Sequence, residues 1–247
     1  MRDDEKKVLL QQQIEQEIDF DKLTEFCEHL TDAVQEIFRS CGLYFRIFSR
    51  VKSTDSIANK LIRRQYGTEQ NPKKLQDLIG IRVVLYYYDD LSICRDIMES
   101  TFQMLDHWSR TNATANEFKA TKINGVFRFP SEYFKVYKKD MWTLPIDTTF
   151  EIQFRTVFFE GWHEIEHDLR YKGSAFGIGN EALARKMNSI LATLELCDDS
   201  IVQLLEDLGH QHYKDKLWCD MIRCHYRLKL DNTPMYPEIE EILNRDT

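Results

Sequence analysis

The stretch "IGIRVVL", residues 79–85, constrains the fold more than any other. Ile81, Val83, Val84 and Leu85, followed by three tyrosines, make a β-branched and aromatic run. Such a run reads as a buried strand. Two further segments, "VFRFPSEYFKVY" and "DTTFEIQFRT", alternate well enough to be strands, antiparallel to each other and joined through "KKDMWTLPID". Pro130 in the first of them suggests an edge or bulged strand.

Most of the remaining chain reads as helix. Residues 4–17 are polar and form an exposed helix. Residues 21–47 place Leu23, Phe26, Leu30, Val34, Ile37 and Phe38 at helical spacing. Ser53, Thr54 and Asp55 offer caps for a short helix whose apolar face is Ile57, Leu61 and Ile62. "DLSICRDIMESTFQML" is a further helix, and residues 106–123 carry no clear pattern. After Val157 the segments 157–171, 180–207, 210–229 and 236–245 all read as helix. The expected architecture is α+β, a small mixed sheet flanked by helices. Its parts are a helical entry (1–47), a sheet-bearing core (48–175) and a helical extension (176–247).

Charge and cysteine usage narrow the function. A formal net charge of -8 disfavours whole-surface attraction to DNA or an anionic membrane. No export signal or bilayer-length apolar run is present, and the six cysteines are scattered. A cytoplasmic location is expected.

Two charged constellations compete for attention. His163-Glu-Ile-Glu-His167 spells the H-E-x-x-H string, which on a helix sets two imidazoles one turn apart for zinc. Glu195 and Asp199 offer downstream ligands for that reading, which leaves the other charged motifs unexplained. The second constellation is Arg50-x-Lys52-x-x-x-Ser56-x-x-x-Lys60. Arg50 and Lys52 point the same way if extended, and Ser56 and Lys60 sit one turn apart at a helix start. Cations, a hydroxyl and free N–H groups suit a polyphosphate. Asp77 and Glu151 lie at or near strand starts. Adjacent strands would bring these carboxylates together to hold Mg²⁺, and one of them could accept a proton from an attacking hydroxyl. Arg82 could stack on a base or pair with phosphate.

The order of these pieces, with "DLIGIRVV", Asn124-Gly125, "EIQFRT" and "WHEIEHDLRYK", resembles the synthetase domain of the RelA/SpoT family over about Ser49 to Lys172. The resemblance implies a nucleotidyltransferase-like fold and a pyrophosphokinase. Such an enzyme moves the β,γ-pyrophosphate of ATP to a ribose 3′-hydroxyl and releases AMP. It implies ATP-phosphate roles for Arg50, Lys52, Ser56 and Lys60, and an adenine-packing role for Arg82. Asp77 and Glu151 become Mg²⁺ ligands, with Glu151 also activating the hydroxyl. Lys122, Asn124, Tyr133, Gln153 and His167 fall to the acceptor side.

The family's acceptor loop, N-G-Y-x-S/A-x-H, departs here to "NGVFRFPSEY". Val126 stands in the place of the guanine-stacking tyrosine. Phe127, Phe129 and Tyr133 are the candidate replacements. The acceptor therefore stays open among GDP or GTP, ADP or ATP, and the 3′ end of tRNA. A non-catalytic regulatory domain is the competing reading of the same fold. No hydrolase pattern precedes the synthetase region, so synthesis alone is expected. The C-terminal apolar stripes, from Leu183 to Leu194 and from Ile201 to Leu208, pack on the core or join copies of the chain. In this pattern Trp162 and Ile165 anchor the helix that carries the zinc-like string to the sheet, and Glu164, Glu166, His167 and Lys172 frame the nucleotide site or brace Glu151 and its strand.

Overall fold

A computed structural model describes residues 3–110, 123–131, 143–172, 181–231 and 233–245, with the side chains of 1–4, 110 and 166–184 outside that description. Five strands form one mixed sheet: β1 (Phe45–Val51), β2 (Ile79–Leu85), β3 (Ser109–Arg110), β4 (Ile123–Arg128) and β5 (Thr149–Thr156). Their spatial order is β1-β2-β5-β4-β3. Only the β2–β5 pair is parallel, and the other pairs are antiparallel. Of the two segments expected to pair antiparallel, residues 126–128 of the first do so within β4 against β5, residues 129–131 are not strand, and 132–137 lie outside the described residues. Pro130 falls beyond the end of β4, so it removes no donor from the ladder.

The two sheet faces have opposite chemistry. Ile79, Ile81 and Val83 of β2 lie in register with Phe150, Ile152 and Phe154 of β5, and all six are buried. Helices α1 (Asp3–Glu17) and α2 (Phe20–Ser40) cover this face. Ile14 of α1 and Leu23, Phe26, Leu30, Val34 and Phe38 of α2 join one apolar cluster with it. Burying each such side chain contributes about 1.5–3 kcal/mol. The first helix is therefore not wholly exposed, because Ile14 and Leu10 meet the core.

One boundary differs from the sequence expectation. The second helix does not continue to residue 47. It stops at Ser40, Gly42 turns with φ +72°, and Phe45 opens β1. Asp19 caps the start of α2 by accepting from the Lys22 amide, and Ser53 caps α3 (Thr54–Arg64) by accepting from the Ser56 amide. The next helices are α4 (Asp90–Thr101), α5 (Val157–Lys172), α6 (Glu181–Lys214), α7 (Trp218–Tyr226) and α8 (Pro237–Arg245). Helix α6 runs through the break expected near residue 208.

Trp162 of α5 anchors its helix to α6 rather than, as expected, to the sheet, in a second cluster with Phe159 and Leu191. Ile165 does not, being 55% exposed. The α6 stripe is only partly used: Leu191 is buried, whereas Ile190, Leu204 and Leu208 are exposed. An Arg227–Asp89 ion pair and a bond from the Lys229 amide to the Gly42 carbonyl (2.6 Å) tie down the segment after α7. All six cysteines are free. Among the described residues no helix is long and apolar enough to cross a membrane.

Gly125 is needed for packing rather than for a turn. A Cβ there would lie 2.7 Å from Trp108 Cζ3 and 2.9 Å from Phe127 Cε2. Gly125→Ala should destabilise the fold by about 1–3 kcal/mol through overpacking, read as a lower urea midpoint at unchanged m-value.

Candidate functional site

The polar face of the sheet assembles the site by strand register. Residues directly opposite each other in a sheet share a face. One row reads Arg50, Gly80, Glu151, Val126 from β1 to β4, and the next reads Phe48, Arg82, Gln153, Asn124. Gly80 leaves the centre of the first row empty, since nothing lies within 4 Å of where its Cβ would be. A cavity of about 290 Å³ opens there, lined by Phe48, Arg50, Lys52, Asp77, Arg82, Glu151, Gln153 and Glu164 among others. That volume is at the lower end for small-ligand pockets.

Asp77 precedes β2 by two residues, where the chain enters the sheet beside β1. Its Oδ2 accepts from Lys52 Nζ (2.8 Å) and Lys60 Nζ (2.6 Å). Burial pushes the Asp77 carboxyl up, but the hydrogen bonds and charges of the two lysines outweigh it and hold the group below the usual aspartate range. Lys60 comes from the second turn of α3, so the Ser53 cap sets its reach. Ser56 lies exposed in the first turn, outside the cavity wall. No ion pair engages Arg50 among the described residues.

Glu151 is held differently. Asn124 Nδ2 donates to one carboxylate oxygen (3.0 Å) and Gln153 Nε2 to the other (2.9 Å). From Gln153 the bonding continues outward. Arg155 Nη2 donates to Gln153 Oε1 (3.4 Å), and Arg155 Nη1 donates to Glu160 Oε2 (2.7 Å). Arg82 Nη1 donates to Glu160 Oε1 (2.7 Å) and to Glu164 Oε1 (3.0 Å). One chain of bonds therefore links Glu160 and Glu164 of α5 to Glu151 on β5. Burial raises Glu160, yet Arg82 and Arg155 more than offset it and keep it below the usual glutamate range.

Mg²⁺ fits the donor set. Asp77 Oδ1 is buried without a hydrogen-bond partner, and each Glu151 oxygen accepts from a single amide. Two carboxylates at one cavity are what Mg²⁺ uses when phosphates and waters complete its octahedron. No group of three or more metal-ligating side chains occurs among the described residues. Glu164, the glutamate of the H-E-x-x-H string, is instead paired with Arg82.

The structure thus brings together Arg50, Lys52, Lys60, Asp77, Arg82, Asn124, Glu151 and Gln153. Lys122 and Tyr133 lie outside the described residues, and so do the side chains of Glu166, His167 and Lys172 on α5. Two proposed substitutes for the missing tyrosine are corrected. Phe127 is fully buried and stacks on Phe150, and Phe129 packs edge-on against Phe26 at 4.7 Å. Phe127 faces the core because odd positions of β4 point away from Glu151, and Phe129, just past the end of β4, is buried in the same core.

Sequence reasoning missed three participants. Phe48 is an exposed ring beside Arg82, Gly80 makes the floor, and Glu160 holds two arginines. The alternation of β1 signals Phe48. Glu160 has one partner nearby in sequence, Arg155, but its link to the site runs through Arg82, 78 residues away.

A family model for the region found in RelA / SpoT proteins matches residues 49–175. The GTP pyrophosphokinase YwaC of Bacillus subtilis (strain 168) is 25% identical over 133 residues, covering 50% of this chain and 57% of that protein. The match thus spans little more than half of that relative's length. Among solved structures, small alarmone synthetase 1 from Bacillus subtilis aligns with a TM-score of 0.57 at 18% identity, covering 77% of this chain and 98% of that one. Its form bound to its product pppGpp gives 0.55 at 20% identity, with coverages of 73% and 91%. A GTP pyrophosphokinase family protein from Streptococcus pneumoniae gives 0.54 at 20% identity, with coverages of 76% and 91%. The fold is shared with these proteins.

The Glu160 network predicts a pH-dependent stability. Glu160→Gln leaves the buried Arg155 guanidinium short of its counter-charge and should cost roughly 3 kcal/mol at neutral pH. Because Glu160 is held below its ordinary range, the wild-type advantage is full above that range and is lost as pH falls through the lowered value. Urea titrations of both proteins from pH 7 downward should show the gap closing on the acid side.

Proposed function

The chain belongs to the family defined by the region found in RelA / SpoT proteins, and from that membership we propose that it is an ATP-dependent pyrophosphokinase acting on an acceptor nucleotide. One observation carries the reading: Asp77 and Glu151 line a single cavity together with Arg50, Lys52 and Arg82. Phosphoryl-type transfer needs positioned cations and acids more than covalent chemistry from the protein.

In this reading the ATP polyphosphate takes Arg50, Lys52 and Lys60, with the first turn of α3 and Ser56 at its end. The lysines then exchange the Asp77 carboxylate for phosphate oxygens. Adenine lies against Arg82, and the exposed Phe48 ring offers a second apolar face. Mg²⁺ bound by Asp77 and Glu151 would neutralise charge building on the transferred group. Asn124 and Gln153 fix the Glu151 carboxylate so that it accepts the proton of the acceptor 3′-hydroxyl. The 3′-oxygen bonds to the β-phosphorus, the bond from that phosphorus to the α–β bridging oxygen breaks, and AMP leaves with the oxygen.

The acceptor is a nucleotide 3′-hydroxyl, and a guanine nucleotide agrees with the relatives. Val126, opposite Glu151 on the polar face, gives no aromatic ring where the family tyrosine would stand. ADP or ATP and the tRNA 3′ end therefore belong in the same assay. Self-association through the exposed apolar residues of α6 agrees with that face but is not required by the chemistry.

Incubation with Mg²⁺, ATP labelled at the γ-phosphate and separate pools of GDP, GTP, ADP, ATP and tRNA should yield AMP and one labelled acceptor. Failure to label any pool while ATP still binds would instead support the regulatory reading. Asp77→Asn and Glu151→Gln should each lower transfer by about 10²–10⁴-fold, with circular dichroism unchanged. If GDP or GTP is the acceptor, Val126→Tyr should lower its KM about fivefold or more through added stacking.

A further inference from the structure

A second cavity, of about 170 Å³, lies at the far end of the sheet, between β5, α4, α5 and α6. Its walls are mostly apolar, with Leu91 of α4, Phe154 of β5 and Phe159 of α5 among them. Its remaining side is acidic: Glu195, Asp198 and Asp199 all line it from α6. Spacings of three and four residues put the three on one helix face.

Asp198 distinguishes this cavity from an ordinary acidic helix surface. It is only 5% exposed, and its Oδ2 accepts from the buried Thr156 hydroxyl at 2.7 Å. Its Oδ1 is buried and has no hydrogen-bond partner. A buried carboxylate oxygen left unpaired costs free energy, and no ion pair engages Glu195, Asp198 or Asp199 among the described residues. Arg155, the cation in the cavity wall, is committed to Glu160 and Gln153. Burial pushes the Asp198 carboxyl up to about 6, and Asp199 and Glu195 push the same way against the Thr156 hydrogen bond.

We propose that this cavity binds a small organic ammonium ion, a primary amine carried on a compact apolar body. The ammonium would donate to Asp198 Oδ1 with Glu195 and Asp199 at the rim, and the body would fill the space beside Phe154 and Phe159. A metal ion suits the site poorly, because its three carboxylates are not grouped so as to hold one. A drug-sized ligand is too large, since such pockets run from about 300 Å³ upward. The wall residue Arg155 bonds Gln153, which bonds Glu151, so an occupant would touch the same network that orients the candidate catalytic acid. The binding claim is independent of the proposed pyrophosphate transfer.

Isothermal titration of the full chain with 2-phenylethylamine and hexylamine tests it, with 2-phenylethanol and magnesium chloride as separate arms. Saturable one-to-one binding of an amine is expected, with no comparable binding of the alcohol or the metal. Asp198→Asn, which keeps an acceptor for Thr156, should weaken the amine about tenfold or more. Glu195→Gln and Asp199→Asn, at exposed positions that carry no folding risk, should weaken it several-fold. The proposal is overturned if neither amine binds saturably at millimolar concentration. Equal binding by 2-phenylethanol or magnesium, or unchanged affinity in all three variants, would overturn it as well.

Discussion

Backbone hydrogen bonds join β2 to β5 in parallel, from Ile79 opposite Phe150 to Leu85 opposite Thr156. That register sets both faces of the molecule. It aligns Ile79, Ile81 and Val83 of β2 with Phe150, Ile152 and Phe154 of β5 over α1 and α2. On the other side it aligns Gly80 with Glu151 and Arg82 with Gln153. A slip of one residue would turn every one of these side chains to the wrong face. Glu151 would enter the core and Phe150 would enter the cavity. The apolar core therefore enforces the geometry of the polar site, at a distance of one sheet thickness.

The charges on the polar face are internally balanced. Asp77 is clamped by Lys52 and Lys60, and Arg82 and Arg155 share Glu160. Such partly buried pairs contribute little net stability over well-packed apolar residues, but removing one member is costly. Their value here is preorganisation. The lysines already point where a polyphosphate would lie, and the amides of Asn124 and Gln153 already fix the Glu151 carboxylate. In the proposed reading a nucleotide with Mg²⁺ would exchange for the Asp77–lysine contacts without unfolding anything, the anion replacing one carboxylate and the metal taking it up.

The site was more legible in the sequence than the boundaries of the elements. Arg50, Lys52, Lys60, Asp77, Arg82 and Glu151 are singled out by the order of the motifs and the resemblance it carries, and the fold does gather them: five line one cavity and Lys60 bonds Asp77. The end of α2 was not legible. Phe45 and Ile47 continue an apolar rhythm, and only the left-handed turn at Gly42 and pairing with β2 make that segment a strand. Tertiary context overrode propensity there. Phe127 and Phe129 were misassigned for a related reason: which face an alternating strand buries depends on its partner, and β5 supplies that partner. The string His163-Glu164-Ile165-Glu166-His167 gained a meaning from outside itself when Glu164 proved to hold Arg82.

The central claim is that Asp77 and Glu151 form one metal and phosphate site on the floor left open by Gly80. The most direct measurement is a crystal structure with Mn²⁺ in place of Mg²⁺ and a non-hydrolysable ATP analogue, located by anomalous scattering. The account predicts an anomalous peak between the two carboxylates, phosphates against Arg50, Lys52 and Lys60, and the lysine contacts to Asp77 broken. A nucleotide bound with those contacts intact, or a metal peak away from both acids, would contradict it.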